Sequence, residues 1–300
     1  MSLFDKLTVL SLPLVPKTIV HKVASRYIAG STIEEAVRVV RELNAGGFSA
    51  TLDVLGEYIS SEADAREAVD TYLEALARIH AEPLDSNISV KLSMLGLQVG
   101  FDFCLTNVRQ LVERAKELGN FVRIDMEDSS CTTDTLNIYR ALRHDFDNVG
   151  FVIQAYLRRS LRDIRDMMNQ FDKINVRVCK GIYIEPREIA FKDRELINRN
   201  FRCIVEELLA NGHYAAIATH DERLVWESYR AVERLGIGTG NFEFQMLLGV
   251  DAQLRGLIRK DGFKLRVYVP YGRRWHDYSI RRLQENPRLA RYAIEGVLRR

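Results

Sequence analysis

No Gly-x-Gly-x-x-Gly turn comes after the first predicted strand, which instead ends in Val54-Leu55-Gly56-Glu57. An open doubly wound sheet needs such a turn to bind a dinucleotide, so that architecture is disfavoured. Cysteine is scarce: the four (Cys104, Cys131, Cys179, Cys203) contain no Cys-x-x-Cys pair. A disulfide framework is not expected, and free thiols in a reducing compartment are. No apolar run approaches the length that spans a bilayer, so no transmembrane segment is expected. The first residues, Met1 to Leu10, carry Asp5, and Pro13 and Pro16 interrupt the next stretch, which makes a poor signal peptide. We therefore read the chain as cytoplasmic, its N-terminal stretch packed on the body of the fold or peripherally in contact with a membrane surface. Charge of one sign is missing too. Forty-three basic residues stand against 41 acidic ones, net +2, which gives no reason to expect a nucleic-acid partner. Finally, there is no linker, low-complexity tract or fixed-period repeat, so residues 1–300 read as a single domain, with 1–45 a helical extension packed on it.

What is present is alternation. Short β-branched runs recur at Ser49–Val54, Ile88–Leu92, Phe121–Met126, Gly150–Ala155, Asn175–Cys179, Ala215–Thr219, Phe242–Met246 and Leu265–Val269. Between them lie amphipathic, charge-rich stretches: Glu62–His80, Leu105–Leu118, Thr132–Asp145, Leu161–Phe171, Glu188–Asn211, Glu222–Leu235 and Val250–Lys260. Leu118-Gly119, Asn211-Gly212 and Leu235-Gly236 read as helix stops. Ser31-Thr-Ile-Glu34 reads as a capping box on an earlier helix. Eight strand–helix units imply parallel strands with right-handed crossovers, an α/β protein of the (β/α)8 TIM-barrel class with extra N-terminal helices.

In such a barrel the chemistry gathers where strands end. Here those ends carry Lys91 and Ser93; Arg123, Asp125, Glu127 and Asp128; Gln154; Arg177 and Lys180; Thr219 and His220; Glu243 and Gln245; and Tyr268. One buried lysine or aspartate is often only a salt-bridged core residue, but polar groups at seven successive strand ends mark a pocket. Three chemistries compete for it. Asp125 and Glu127 share a strand face and with His220 could hold a divalent metal, although this is a weak ligand set and we expect no metal. Lys91 or Lys180 could form a Schiff base, as in a barrel aldolase, but the nearby carboxylates would raise the lysine pKa. Arg177, Lys180, Gly181, Thr219 and His220 could hold an organic cofactor that carries a pyrophosphate.

Beyond the last strand, Tyr278-x-x-Arg281-Arg282-x-x-Glu285 places two guanidiniums and their neighbours on one helical stripe. Paired guanidiniums suit a carboxylate. A solvated basic face is the bland alternative.

Taken in order, Lys91-Leu-Ser93, Arg123-Ile-Asp125-Met-Glu127, Gln154-Ala-Tyr156, Arg177-x-x-Lys180-Gly-x-Tyr183, Ala218-Thr-His220, Phe242-Glu-Phe-Gln245, Arg266-Val-Tyr268-x-Pro and Tyr278-x-x-Arg281-Arg282-Leu-x-Glu285-Asn286 resemble the proline dehydrogenase family. The family is built on a distorted (β/α)8 barrel, and the length resembles its single-activity bacterial form. The resemblance implies FAD as cofactor and oxidation of L-proline to Δ1-pyrroline-5-carboxylate, the first step of proline catabolism. Hydride would pass from proline C5 to flavin N5, and electrons then to a quinone, which implies contact with the inner membrane surface. It implies that Arg281 and Arg282 clamp the proline carboxylate, that Lys91 sits against substrate and flavin, and that Tyr268 and Tyr278 wall the ring. Asp125 would hold the hydrogen-bond network and Arg177 would lie near flavin N5. Gln154 would bond the pyrimidine edge with Met126 lining it. Lys180, Gly181, Ile182 and Tyr183 would approach the cofactor, and Thr219 and His220 would contact its ribityl, phosphate or adenine portion. Glu285 would order the arginines or the cofactor. The chain departs from many members at Ile182, where alanine is common, and at Asp221, where asparagine is, so shifted cofactor contacts are expected there. The rival readings are a Schiff-base aldolase and a barrel that senses an amino acid or flavin without turning it over.

Overall fold

The computed structural model describes residues 26–275. Tyr278, Arg281, Arg282 and Glu285 lie outside the described residues, as does the start of the N-terminal extension.

Among the described residues the first element is α1 (Ile33–Ala45), followed in alternation by β1 (Ser49–Val54), α2 (Glu62–Ala81), β2 (Ser86–Val90), α3 (Phe101–Glu117), β3 (Val122–Ile124), α4 (Thr132–Arg143), β4 (Val149–Gln154), α5 (Ser160–Gln170), β5 (Asn175–Cys179), α6 (Arg194–Ala210), β6 (Tyr214–Ala218), α7 (Glu222–Leu235), β7 (Phe242–Leu247), α8 (Ala252–Lys260) and β8 (Leu265–Tyr271). Every neighbouring pair is parallel, and β8 returns to β1 from Ser49 beside Arg266 to Val54 beside Tyr271, which closes the barrel.

The two faces of each strand carry different chemistry. Leu52, Ile88, Val90, Ile124, Phe151, Ile153, Val176, Val178, Ile217, Phe244, Val267 and Val269 are buried apolar residues of one continuous core with the helices. Most alternate positions are polar, among them Asp53, Ser89, Arg123, Gln154, Arg177, Glu243, Gln245, Arg266 and Tyr268, while Val152 on β4 and Ala216 on β6 are apolar exceptions. Arg177 on β5 bonds Ser89 on β2 and Gln245 on β7, and it lies 5.2 Å from the Tyr268 ring on β8. A side chain that reaches three distant strands must point into the lumen. By period-2 alternation the aliphatic face therefore looks outward to the helices, and the barrel interior is mostly polar.

Local structure differs from the sequence expectations in several places: α3 begins at Phe101, four residues before the expected Leu105, and β2 runs two residues earlier than expected. The capping box lies one residue later, with Thr32 at the cap and Glu35 returning to it. Predicted to start at Glu188, α6 starts at Arg194 with Asp193 accepting from the Leu196 N–H. The preceding segment is held in another shape: Ile189 and Ala190 N–H donate to the Pro186 carbonyl, and Ala190 bridges to Leu157. Glycine stops operate as read. Gly119, Gly212 and Gly236 all have positive φ just after α3, α6 and α7. At the barrel seam, Ala29 N–H donates to the Pro270 carbonyl and Gly272 N–H to the Gly30 carbonyl, which ties the N-terminal segment to β8.

Candidate functional site at the barrel mouth

Asp125, just past β3, organises the centre. Its Oδ1 accepts from Arg177 Nη1 at 2.6 Å and from Ser89 Oγ at 2.6 Å, and its Oδ2 accepts from the Tyr268 hydroxyl at 2.7 Å. Three donors satisfy a carboxylate that would otherwise be costly to bury. Arg177 is 6% exposed, so its charge is balanced by Asp125 and not by solvent.

Lys91 stands next to this cluster. Its Nζ lies 2.6 Å from Asp53 Oδ1, and Asp53 has no exposure at all. Burial pushes the Asp53 carboxyl up to about 6 even with Lys91 beside it. Burial alone would lower the lysine, but Asp53 and Asp125 together more than reverse this and hold it raised, as an ammonium. Such a lysine is no nucleophile, which counts against the Schiff-base reading at Lys91. Lys180, the other aldolase candidate, is paired with Asp221 at 2.6 Å. Asp221 also accepts from Arg223 N–H as the N-cap of α7. Asp221 thus anchors Lys180 and a helix start together.

Glu127 does not converge with Asp125. Its Oε1 accepts from Ser93 N–H at 2.9 Å and its Oε2 from Ser93 Oγ. Burial pushes its carboxyl up to about 7. Tyr58, in the loop after β1, donates its N–H to the same Ser93 Oγ and its hydroxyl to Asp128, holding three loops together. His220 Nε2 accepts from the Leu247 N–H at 2.9 Å, a bond that leaves the ring proton on Nδ1. Thr219 Oγ1 accepts from the Asp221 N–H.

Gly181 has φ +104°, and a Cβ there would lie 2.1 Å from the Tyr156 ring. The glycine is thus needed for close approach of Tyr156, a reason the sequence did not reveal. Met126 is buried, Ile182 is half-exposed, and Tyr183 lies in the same loop. Gln154 donates through Nε2 to the Met126 and Glu127 carbonyls. Trp275 packs on Ile28 and Leu55.

Several buried polar atoms around the mouth lack a hydrogen-bond partner among the described residues, including Asp53 Oδ2 and the Tyr156 hydroxyl, and two of them sit on neighbouring strands. These two are Gln154 Oε1 and Arg177 Nη2. An unpaired buried donor and acceptor on neighbouring strands β4 and β5 suit a heterocycle with both an N–H and a carbonyl edge. The isoalloxazine of a flavin has these, so the residues present fit FAD.

Sequence reasoning missed Asp53, Ser89 and Tyr58 as members of this network. Asp53 was detectable from the Thr51-x-Asp53 alternation of polar groups in an otherwise apolar strand.

Comparisons with known proteins come to the same place. Residues 36–291 match the family described as Proline dehydrogenase. The chain is 39% identical over 277 residues to Proline dehydrogenase 1 of Bacillus subtilis subsp. natto, covering 92% of this chain and 91% of that protein. It is 39% identical over 281 residues to Proline dehydrogenase of Deinococcus radiodurans, covering 92% and 90%. Among solved structures, proline utilization A from Bdellovibrio bacteriovorus, inactivated by N-propargylglycine, superposes with a TM-score of 0.84 at 26% identity. That match covers 89% of this chain and 33% of the larger protein, so this chain spans about a third of its length.

Proposed function

The chain belongs to the proline dehydrogenase family, and from that premise we propose how its site works: FAD-dependent oxidation of L-proline to Δ1-pyrroline-5-carboxylate, with electrons passed to a quinone. Proline dehydrogenase activity is the first step of proline catabolism. The observation that supports a flavin here is the buried network of Asp125, Arg177, Ser89 and Tyr268, with Arg177 Nη2 and Gln154 Oε1 unpaired beside it.

FAD, when bound, supplies a two-electron acceptor, flavin N5, for the hydride that leaves proline C5. Gln154, Arg177, Lys180, Gly181, Ile182, Tyr183, Thr219, His220 and Met126 would hold it, and Glu285 would order its surroundings. Proline loses a hydride from C5 and a proton from nitrogen, so its amine must be neutral first. No side chain among the described residues is assigned to take that proton, and solvent takes it. Arg177 would offset negative charge on the bound acceptor, and Asp125 keeps Arg177 oriented. Tyr268, whose hydroxyl is fixed by Asp125, offers its ring as a wall. The Lys91 ammonium, already paired with Asp53, holds positive charge near the substrate carboxylate without needing a proton change. Arg281 and Arg282 would clamp that carboxylate, with Tyr278 as the second wall. Residues 1–300 act as one catalytic unit in the cytoplasm. No helix among the described residues is long and apolar enough to cross a membrane. Delivery of electrons to a membrane quinone would be by peripheral contact.

The test is steady-state turnover with L-proline and a soluble quinone analogue, monitoring Δ1-pyrroline-5-carboxylate. Turnover that falls at least a hundredfold in Lys91→Met, with FAD still bound, supports the reading. Borohydride trapping of a carbonyl substrate on Lys91 or Lys180, without proline turnover, would replace it with the aldolase reading.

A further inference from the structure

Arg177 has three nitrogens, and two are accounted for: Nη1 by Asp125 and Ser89, Nε by the side-chain oxygen of Gln245. A planar guanidinium held at Nη1 alone could still swing about that contact. Fixing Nε as well sets the plane and so fixes where the unpaired Nη2 points.

Gln245 can do this only if its amide presents oxygen, not nitrogen, to Arg177. The two ends of an amide are nearly equal in size and opposite in hydrogen-bonding sense. Reversed, the amide would set N–H against N–H. Glu243 decides between them. It lies two residues earlier on β7, on the same face, and its Oε1 accepts from Gln245 Nε2 at 2.6 Å. A carboxylate can only accept, so the Gln245 nitrogen must face it and the oxygen must face Arg177. Glu243 is itself held ionised in the interior by Arg266 at 2.8 Å and Lys264 at 3.5 Å. An orientation signal thus runs from Arg266 through Glu243 and Gln245 to Arg177.

We propose that Gln245, keyed by Glu243, is a positioning residue for Arg177, and that this pair sets how strongly the site favours the reduced cofactor over the oxidised one. The inference rests on the reading of Arg177 as the charge beside the flavin. Neither Gln245 nor Glu243 is assigned a contact with substrate or cofactor. Their effect reaches the reaction only through the direction of one guanidinium.

The experiment uses the purified holoenzyme and the variants Gln245→Met, which keeps bulk but offers no hydrogen bond, and Glu243→Gln, which lets the Gln245 amide reverse. Three quantities are read: the flavin midpoint potential against dyes of known potential, the FAD dissociation constant, and the split of kcat from KM for L-proline. The expected result is a potential more negative by about 30 mV in both variants, the equivalent of a tenfold loss in preference for the reduced flavin. Alongside it, kcat falls about tenfold and KM for proline stays within twofold. A Gln245→Met protein that folds, binds FAD and keeps the wild-type potential and kcat overturns the proposal while leaving proline dehydrogenation intact. Should Glu243→Gln fail to fold, Gln245→Met decides alone. A wild-type protein that takes up no FAD removes the flavin reading first and this inference with it, so the two failures are told apart.

Discussion

Consider Asp125→Asn. The substitution keeps the shape, and one amide oxygen can still accept from Arg177 Nη1 and Ser89 Oγ, both at 2.6 Å in the wild type. Two things are lost. The charge that balances Arg177 disappears, and an NH2 now meets the Tyr268 hydroxyl that donated to Oδ2 at 2.7 Å. Removing one member of a buried pair costs about 3–5 kcal/mol, because the other is left uncompensated. Since the new amide keeps two of the three hydrogen bonds, the lower end applies, about 3 kcal/mol of stability. In a chain of this size about 2–4 °C of melting temperature goes with each kcal/mol, so a fall of roughly 6–12 °C is expected. Arg177→Met removes the same pair from the other side and costs a similar amount. The double variant leaves neither charge behind, so it costs about 4 kcal/mol rather than 6, a coupling of about 2 kcal/mol. Urea unfolding of the cofactor-free protein and its three variants measures this. Additivity within about 0.5 kcal/mol would refute the claim that Asp125 and Arg177 act as one buried unit.

Other consequences arise from single groups. Glu127 is raised from its ordinary 4.5 to about 7 by burial, so its contribution to stability is complete below pH 4.5 and is lost as pH rises through 7. Glu127→Gln, whose amide can serve both Ser93 contacts, should therefore gain on wild type by about 3 kcal/mol between pH 4.5 and pH 8 in melting experiments; a pH-independent difference contradicts this. Gly181→Ala forces a Cβ to 2.1 Å from Tyr156 at φ +104°, and a loss of about 3 kcal/mol is expected by denaturant titration, with unchanged stability as the refuting result. Arg281→Met and Arg282→Met should each raise KM for L-proline by tenfold or more, since an uncompensated carboxylate loses charge-assisted bonds worth about 1.5–3 kcal/mol. An unchanged KM in both would remove the carboxylate clamp.

The barrel was legible because its signals are local. β1 and β5 fall where their β-branched runs do, and α7 is bounded by Asp221 and Gly236 as capping chemistry requires. The start of α6 was misread because residues 188–193 share its charge-rich character. What excludes them is Pro186 and a bridge to Leu157, which lies far away in sequence. The site divides in the same way. Polar residues at strand ends could be seen one by one, but their partners could not. Asp53 is 38 residues from Lys91, and Gln245 is 68 from Arg177. Barrel closure makes them neighbours, and no periodicity encodes that. The strand-end reading also stopped short of how far polarity runs down the lumen, where Arg266 and Glu243 form a buried pair.

A visible spectrum of the purified protein, recorded anaerobically before and after L-proline, decides whether this barrel oxidises proline through a flavin. The expected trace is a flavin band that bleaches on addition of L-proline and returns with a quinone analogue. A colourless protein that takes up no FAD, or a yellow one that proline leaves unbleached, would contradict that reading.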